Sequence, residues 1–514
     1  MAETSVEKEV LATQTPQAAP PARVAGNTGA LIFGQAIQFP VSFVASIFMV
    51  RSLGSDGYGT IAFVYAFMGL FDWLASFGVE QVVVREASAA EGRTDSEKRA
   101  LSFGGELWGS GMALTAATSA VAALLAAVLA FVLGYQGSVA LLLVIAGIEA
   151  IALVPPRLLS TVLQVRLQMW KAVGITSARH LGWLVAVMIM AKAHAPLWAF
   201  VGIRSTLAAC ESMTIAAVSL RELGSRLTFA ATRATELAKN SWPLALMYLA
   251  IGVYFRIDRV IIERFVGPKE LGFYAVADNI GGMISVIPLA FSRSVYPEIC
   301  KRLASEERFR SAVRTSFRVT IFVMGILVVA MFALGPPAIR FIYGGEFSSS
   351  GHLLRILLLA QLGAAYGTIL GVVLLAQSLQ RAMMVATAAS AVVNVLINLF
   401  AIPRWGATGA AWATVLSYWF SSAVMFELTR RTRELNRLGL AVFARAVPGL
   451  ALGLLSALLI VNPVFSAIAA PLLCATFFVL TGLISRSDWE LVRSMFPWKN
   501  TGVPPLSRRG TTNG

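Results

Sequence analysis

The sequence predicts an all-α membrane protein with about fourteen membrane-spanning helices. Stretches of about 20 mostly apolar residues recur fourteen times between Gly29 and Ser485, and each is long enough to cross a bilayer's hydrocarbon core of roughly 30 Å. Hydrophobic residues make up 57% of the 514 residues and charged residues 13%, which leaves too little polar surface to cover a water-soluble domain. The stretches lack strand-like alternation and are far longer than barrel strands, so we expect helices.

The predicted spans follow one another with short connections. In order along the chain they are residues 29–50, 58–82, 102–133, 139–164, 173–191, 197–220, 240–263, 271–298, 315–337, 352–376, 383–402, 408–428, 441–461 and 466–485. Because the number of spans is even, both termini are expected on the same side of the membrane.

Lys and Arg in the connections predict which side that is. The segments that share a side with the termini hold more than four times as many Lys and Arg as the opposite side. The opposite side holds Arg51, Lys192, Arg264, Lys269, Arg340 and Arg404. Because Lys and Arg are retained on the cytoplasmic side, both termini of this multi-pass protein are predicted to be cytoplasmic. The net charge of +15 mostly reflects this bias, so no nucleic-acid partner is predicted.

Two short motifs recur at nearly the same spacing. Leu-Gly-Ser-Asp-Gly-Tyr-Gly at 53–59 is echoed by Val-Gly-Pro-Lys-Glu-Leu-Gly at 266–272, an offset of 213 residues. Pro-Leu-Trp-Ala at 196–199 is answered by Gly-Ala-Ala-Trp-Ala at 409–413. The echoes favour two parallel six-helix halves, which commonly enclose a path for substrate. The alternative is that glycine and aromatic residues recur by chance at helix ends.

The repeat and the spans together predict the domain organisation. The predicted parts are a disordered cytoplasmic tail at 1–27, an N-terminal six-helix half at 28–220, a cytoplasmic linker at 221–239, a C-terminal six-helix half at 240–428, helices 13 and 14 at 429–485 and a cytoplasmic tail at 486–514. The tails lack the apolar stretches of the rest of the chain.

No enzyme, metal or cofactor signature accompanies these spans. Cys210, Cys300 and Cys474 have no paired or metal-ligand spacing, and the three histidines form no cluster in the sequence. The sequence contains no Gly-rich phosphate loop, and no connection is long enough for a nucleotide-binding domain. We therefore expect no catalytic residues, no metal site, no cofactor and no enzymatic activity.

Six segments, taken in order, resemble one family of membrane proteins. They are Arg51-Ser52-Leu53-Gly54 with Tyr58-Gly59, Phe77-Gly78 with Arg85-Glu86, Asp258-Arg259-Val260-Ile261 with Leu271-Gly272-Phe273-Tyr274, Tyr296-Pro297-Glu298-Ile299, Tyr343-Gly344-Gly345-Glu346-Phe347 and Gly406-Ala407-Thr408-Gly409-Ala410-Ala411-Trp412-Ala413-Thr414. Together they resemble the Wzx-type polysaccharide flippases, a family related to MATE exporters and MurJ lipid II flippases. One departure is Ser76, where the family often has an acidic residue; Asp72 lies one turn earlier on the same face.

The resemblance implies a function that composition and spacing do not. It implies a MATE-like flippase that moves a lipid-linked oligosaccharide, carried on undecaprenyl pyrophosphate, from the cytoplasmic to the outer face of the inner membrane by alternating access. Its partners would be the lipid-linked oligosaccharide, membrane lipids, and the polymerase and chain-length proteins of surface polysaccharide synthesis, such as lipopolysaccharide or exopolysaccharide. The alternatives are a cation-coupled exporter or a lipid II flippase, and less favoured a membrane polysaccharide polymerase.

Charged residues inside the spans are the candidate substrate site. A charge in hydrocarbon is costly and tends to face a wet cavity or a partner, and guanidinium binds phosphate in a bidentate fork without losing its proton. Arg256 and Arg259, at i and i+3, share a helical face and could bind one anionic group. The alternative is structural: Arg259 pairs with Glu263 at i+4, and Asp258 pairs with another helix.

Three further arginines and two aspartates complete the candidate set. Arg179, Arg204 and Arg293 lie at different depths and could pass a phosphate across the membrane; the alternative for Arg179 and Arg293 is that they reach to an interface. Asp72 and Asp278 are candidates for ion coupling, with hydrogen bonding between helices as the alternative.

Overall fold

The computed structural model describes residues 21–91, 97–427, 430–485 and Asp488. Within this part of the chain the regular elements are helices and no β-strand occurs, which confirms the predicted all-α class. The predicted tails lie outside the described residues at 1–20 and at 486–487 and 489–514. The first described helix begins at Pro21, six residues before the predicted end of the N-terminal tail at residue 27.

We number the helices in chain order. They are α1 (Pro21–Ser76), α2 (Val79–Glu91), α3 (Glu97–Val132), α4 (Gly137–Gly147), α5 (Val154–Leu158), α6 (Ser160–Val165), α7 (Met169–Lys192), α8 (Leu197–Leu223), α9 (Ala231–Val266), α10 (Pro268–Met283), α11 (Val286–Lys301), α12 (Glu306–Tyr343), α13 (Ser348–Ala376), α14 (Gln380–Trp419), α15 (Met425–Glu427), α16 (Arg430–Leu459) and α17 (Pro463–Leu480). A π-helical turn, Ile148–Ala152, follows α4 and leads into α5.

Glycines break two of the longest helices. Gly54 in α1 has φ 66° and ψ −173°, and Gly406 in α14 has φ 57° and ψ −142°. Glycine adopts positive φ without the steric cost that a Cβ imposes. Both breaks fall in connections that the sequence predicts between spans. We call the part of α1 after the break, residues 55–76, segment α1b.

The number of membrane crossings stays a prediction. Among the described residues, ten helices are long and apolar enough to cross a membrane, and the glycine breaks divide two of them. Two further helices, α8 with 27 residues and α9 with 36, carry charged side chains along their length. These numbers are compatible with fourteen crossings.

Contacts between Cα atoms divide the described chain into two compact units. The first contains the described residues up to Asn279, with Pro336–Leu357 and Met384–Ser417. The second contains Ile280–Gly335, Leu358–Met383 and the described residues from Tyr418 onward. The division of the chain into six-helix halves at residues 221–239 stays a prediction.

In the first unit, the two copies of the first echoed motif, residues 53–59 and 266–272, lie against each other. A Cβ on Gly59 would lie 1.7 Å from the carbonyl oxygen of Pro268, and a Cβ on Gly272 would lie 2.1 Å from that of Ser55. Real Cβ atoms do not approach backbone oxygen so closely, so only glycine permits this packing. The glycines of the repeat therefore bring α1b against the start of α10.

Side chains also join the turn at Gly54 to residues 341–346 of the first unit. The Arg51 guanidinium donates to the carbonyl oxygens of Ile342 (2.6 Å) and Phe341 (2.8 Å). Glu346 accepts hydrogen bonds from the backbone N–H (2.9 Å) and hydroxyl (2.6 Å) of Ser55. These bonds fix the backbone on both sides of the glycine break, and so fix where α1b begins.

In the second unit, α12 extends beyond its predicted span. It begins at Glu306, nine residues before the predicted start at 315. The extension is helical because Phe309, Val313 and Phe317, at i, i+4 and i+8, are all buried on one face. The arginines between them could be assigned to a connection from composition alone, but this periodicity favours helix.

Asp488 ties the chain after α17 to α12. Its carboxylate accepts hydrogen bonds from the Thr315 hydroxyl (2.7 Å) and from the Ser485 N–H (2.8 Å) and hydroxyl (2.7 Å), and Arg318 lies 3.5 Å away. Burial alone would raise the pKa of Asp488, but these hydrogen bonds and the charge of Arg318 hold it below its ordinary value.

We expect Asp488→Asn to destabilise the protein by about 1 to 3 kcal/mol at neutral pH, because hydrogen bonds to a buried carboxylate are lost. A depressed pKa stabilises the fold above the ordinary carboxyl pKa of about 3.9, and this contribution disappears as the pH falls through the folded-state value. Thermal unfolding in detergent should therefore show a gap between variant and wild type that narrows with acidification. A gap that is absent at pH 7 would contradict this role.

Candidate functional site

In the first unit, charged side chains of α1b, α5, α8 and α9 contact neighbouring helices within otherwise apolar segments. On α1b, Asp72 accepts a hydrogen bond of 2.6 Å from Arg157 of α5. The same guanidinium donates to the backbone oxygens of Ala150 (3.2 Å) and Leu153 (3.3 Å). The oxygen of Ala150 lies in the π-helical turn just before the two prolines of α5, which lack an N–H to donate, whereas the oxygen of Leu153 also accepts the backbone N–H of Arg157 at 3.1 Å.

A second ion pair joins α8 to the same π-helical turn. Arg204 contacts Glu149 through two nitrogens, with Nε 3.1 Å from Oε2 and Nη2 3.2 Å from Oε1. The Arg204 guanidinium also lies 4.0 Å from the centre of the Tyr65 ring on α1b. Arg204, a predicted cavity residue, is therefore engaged by a carboxylate and by an aromatic face.

A third pair joins α7 to α8. Nε of Arg179 lies 2.5 Å from Glu211, and side-chain exposure is 20% for the arginine and 16% for the glutamate. The structure therefore places Arg179 and Arg204, the predicted steps of a phosphate pathway, in separate ion pairs. The role of Arg179 and Arg204 in passing a phosphate across the membrane stays a prediction.

Arg259 and Asp278 form a fourth pair, between α9 and α10. Arg259 Nη2 lies 2.6 Å from Asp278 Oδ2. The alternative expectation of an Arg259–Glu263 pair is wrong, because Glu263 instead accepts a hydrogen bond from the hydroxyl of Tyr135. The turn at Gly267 brings α10 back beside α9, and this makes Asp278 a closer partner than the residue one turn along.

Asp258, which sequence analysis treats only as a structural residue, is almost fully buried at 7% exposure. It accepts hydrogen bonds from the Tyr274 hydroxyl (2.5 Å) and from the backbone N–H of Arg259 (2.8 Å). The Tyr274 oxygen also lies 3.1 Å from the hydroxyl of Thr414 on α14. The expectation that Asp258 pairs with another helix is confirmed, through hydroxyl groups rather than a guanidinium.

Arg256 is held differently from the paired arginines. Its Nη1 donates a 3.0 Å hydrogen bond to the backbone oxygen of Tyr65 on α1b. A Cβ on Gly69 would lie 1.7 Å from the same nitrogen, so the missing side chain of Gly69 makes room for the guanidinium. In the described part of the chain no carboxylate lies within 4.0 Å of Arg256.

The local charges therefore differ in how they are compensated. The charges of Arg259, Asp72 and Arg204 act on Arg256, but these three residues already belong to ion pairs. Arg256 and Asp258 are the members of this group without an oppositely charged side chain within 4.0 Å among the described residues. Arg256, half-buried and lacking such a partner, can accept an anionic group without first breaking an ion pair.

Arg256 and Arg259 share a helical face as predicted, but their guanidinium groups bind different neighbours, the α1b backbone and Asp278. Arg293 belongs to the second unit, where it is exposed on α11. Sequence analysis did not single out Gly69, because nothing in the sequence shows which glycine of one span faces the arginine of another.

We expect the Arg259–Asp278 pair to be structural. Asp278→Ala should lower the free energy of unfolding by about 1 to 3 kcal/mol, because Arg259 is left partly buried without its partner. The double variant Arg259→Met with Asp278→Leu should recover much of this loss, since no unpaired charge remains. Protein level in the membrane and thermal unfolding in detergent measure both effects. A double variant no better than Asp278→Ala would contradict a purely structural pair.

Long apolar helices that carry paired charges into their spans define a multi-pass helical membrane protein. Residues 24–303 match the model of the polysaccharide biosynthesis protein family, and residues 243–400 match the MatE model. The first match covers more than half of the chain. The chain belongs to the polysaccharide biosynthesis protein family.

Two relatives agree with this membership. The chain is 23% identical over 137 residues to the succinoglycan biosynthesis transport protein ExoT of Rhizobium meliloti (strain 1021), covering 26% of this chain and 28% of that protein. It is 28% identical over 171 residues to the probable flippase AglR of Haloferax volcanii, covering 32% of this chain and 35% of that protein. The matches thus span about a third of these relatives or less.

Two solved structures have the same fold. The lipid II flippase MurJ in its inward closed conformation matches with a TM-score of 0.65 at 13% identity, covering 91% of this chain and 99% of MurJ. An inward-facing multidrug resistance MATE family transporter matches with a TM-score of 0.60 at 14% identity, covering 77% of this chain and 95% of that transporter. At such identities the likeness shows the fold alone.

Proposed function

We propose that the protein is a flippase that moves a lipid-linked oligosaccharide, carried on undecaprenyl pyrophosphate, from the cytoplasmic to the outer face of the inner membrane. Both termini lie in the cytoplasm, and transport proceeds by alternating access. Family membership supports a role in polysaccharide biosynthesis. The names of ExoT, AglR and the probable low-salt glycan biosynthesis flippase Agl15 of Haloferax volcanii support transport of a glycan precursor.

The observation that carries this proposal is the state of Arg256. A pyrophosphate crossing the hydrocarbon needs a partner for its charge, since a bare charge there is costly. Arg256 offers a guanidinium that is bound to one backbone oxygen and to no carboxylate among the described residues. Arg204, Arg179 and Arg259 would contribute only after leaving Glu149, Glu211 and Asp278, so we assign them secondary roles.

Ion coupling is a separate part of the proposal. The predicted coupling residues, Asp72 and Asp278, each contact an arginine at 2.6 Å, so each carboxylate would have to leave its arginine before it could bind a coupling ion. Asp258 is buried and its oxygens contact hydroxyl and N–H groups instead. We therefore favour Asp258 over both as the coupling residue. Association with a polymerase and chain-length proteins rests on the family resemblance alone.

The alternative function is a cation-coupled exporter, favoured by the match to the MatE model and by the buried carboxylate of Asp258. Deletion of the gene distinguishes the two. The proposed function predicts accumulation of lipid-linked oligosaccharide that stays inaccessible to glycosidase added outside sealed spheroplasts, with unchanged resistance to cationic drugs. Loss of drug resistance with normal surface glycan would contradict the flippase function and support the exporter function.

A further inference from the structure

An apolar groove runs between α11 and α12 in the second unit. Its volume is about 300 Å³. Its walls include Val286, Ala290 and Phe291 of α11 and Val319, Val323 and Met324 of α12. The chain turns at residues 284–285 between α10 and α11, and Pro288 follows within the first turn of α11, where a missing N–H costs no helix hydrogen bond. The groove therefore begins beside the turn that separates α10 from α11.

The position of the groove decides what kind of molecule can fill it. Both helices belong to candidate membrane spans, Pro268–Lys301 and Glu306–Tyr343. A groove with apolar walls at this depth meets hydrocarbon rather than water. Lipid tails are as apolar as these side chains, so burial alone gives little affinity there. Selective binding at such a groove needs a polar contact at its end.

Arg293 supplies that contact. Val286, Ala290 and Arg293, at i, i+4 and i+7, lie on one face of α11 and all three are exposed. Arg293 lies about 4.5 Å along the helix axis from Ala290, towards the end that the proposed topology places at the cytoplasm. Within the described residues no carboxylate lies within 4.0 Å of its guanidinium. The apolar wall of the groove on α11 and the Arg293 guanidinium thus lie along one continuous strip of the helix surface.

A buried hydroxyl in the groove wall is a second, independent observation. Thr320 lines the groove and is 3% exposed, and its Oγ1 has no hydrogen-bond partner among the described residues. A buried hydroxyl without a partner is unfavourable, and such groups are rare in native proteins. A ligand with a polar oxygen near its first carbons would satisfy Thr320 on entering the groove.

We propose that this groove binds the polyisoprenyl chain of the lipid-linked substrate, with Arg293 contacting its phosphate in the cytoplasmic leaflet. The inference rests on the proposed function and adds a loading site for the carrier lipid to it. A single groove between two helices fits one chain. A phospholipid such as phosphatidylglycerol brings two chains and one phosphate with a single negative charge, whereas the proposed substrate brings one chain and a pyrophosphate with two negative charges, which guanidinium binds strongly.

Photolabelling of the purified full-length protein tests the site. The probe is a polyisoprenyl pyrophosphate that carries a sugar and has a diazirine near its pyrophosphate end, added to the protein in phosphatidylcholine nanodiscs. We expect labelled peptides from residues 286–301 and 306–324 in the wild type. Labelling should fall at least tenfold in Ala290→Trp, which fills the groove, and in Arg293→Gln, which changes only an exposed side chain. A tenfold excess of phosphatidylglycerol should leave labelling unchanged.

Leu289→Trp is the matched control, since Leu289 is 49% exposed on the same helix and does not line the groove. It should label like the wild type. Equal labelling of wild type, Ala290→Trp and Arg293→Gln would overturn the proposal, as would equal competition by phosphatidylglycerol, which would indicate a general site for anionic lipids. Arg256→Ala should keep groove labelling. Labelling that persists while gene deletion leaves glycan export unchanged would refute the proposed function and not the groove.

Discussion

We expect Arg256→Ala to abolish export of surface glycan while the protein stays in the membrane at its normal level. The variant removes a guanidinium that carries no ion pair among the described residues, so the substrate phosphate loses its partner in the hydrocarbon. Structurally it loses one hydrogen bond to the Tyr65 backbone, worth about 1 kcal/mol. Surface glycan measured with a glycan-specific lectin, normalised to protein level, gives the result.

Two further variants make the Arg256 experiment specific. Arg256→Lys keeps the charge but loses the planar fork, so export should fall well below the wild type rather than recover. Arg264→Ala removes an exposed arginine at the end of the same helix and should leave export unchanged. Wild-type export by Arg256→Ala at normal protein level would remove Arg256 from the site, and full export by Arg256→Lys would show that charge alone suffices.

Gly59→Ala should cause the largest loss of stability. The added Cβ would lie 1.7 Å from the Pro268 oxygen and 2.8 Å from the Gly272 nitrogen. Both atoms are backbone, so relief requires that α1b and α10 separate rather than that a side chain rotates. Overpacking of this kind costs about 3 kcal/mol, and we expect little protein in the membrane.

Gly174→Ala is the matched control for Gly59→Ala, because Gly174 is also helical and a Cβ there meets no atom within 4 Å. Replacing a helical glycine by alanine at an open position should be neutral or slightly stabilising. Thermal unfolding in detergent compares the two variants. If Gly59→Ala unfolds at the same temperature as Gly174→Ala, the close packing of residues 53–59 against residues 266–272 does not stabilise the fold.

The helical membrane fold could be predicted because hydrocarbon imposes a strong rule on sequence. A span must be long and apolar, and its backbone must satisfy its own hydrogen bonds. The turn glycines Gly54 and Gly406 could likewise be placed, since positive φ strongly favours glycine. The helical extension of α12 before residue 315 was missed, because arginine-rich sequence suggests a connection unless the buried period of Phe309, Val313 and Phe317 is noticed.

The pairing of charges could not be predicted, because it depends on which helices are neighbours. Sequence spacing suggests Glu263 as the partner of Arg259, but the chosen partner is Asp278 on the next helix. Arg204 and Glu149 are 55 positions apart, and no periodicity relates them. Arg256 was a candidate from sequence. Its lack of a carboxylate among the described residues depends on its position against Gly69 and the Tyr65 backbone, which only the fold reveals.

The groove between α11 and α12 was missed for a related reason. Val286, Ala290 and Val323 are apolar residues in apolar spans, and lipid-facing, packed and groove-lining positions have the same composition there. Arg293 was identified, but as one step of a pathway shared with arginines elsewhere in the chain. To see that Arg293 shares a helix face with an apolar strip, one must know which residues of α11 are exposed, and this comes from the structure.

Movement of the substrate itself tests the central claim most directly. The purified protein is reconstituted into liposomes whose inner and outer leaflets hold a fluorescent lipid-linked oligosaccharide on undecaprenyl pyrophosphate, and a glycosidase is added outside. Wild-type protein should make the inner-leaflet half accessible to the enzyme within minutes, whereas liposomes with Arg256→Gln should keep it protected, as protein-free liposomes do. Inner-leaflet lipid that stays as protected with wild-type protein as in protein-free liposomes would contradict the account, and so would lipid that becomes as accessible with Arg256→Gln as with wild-type protein.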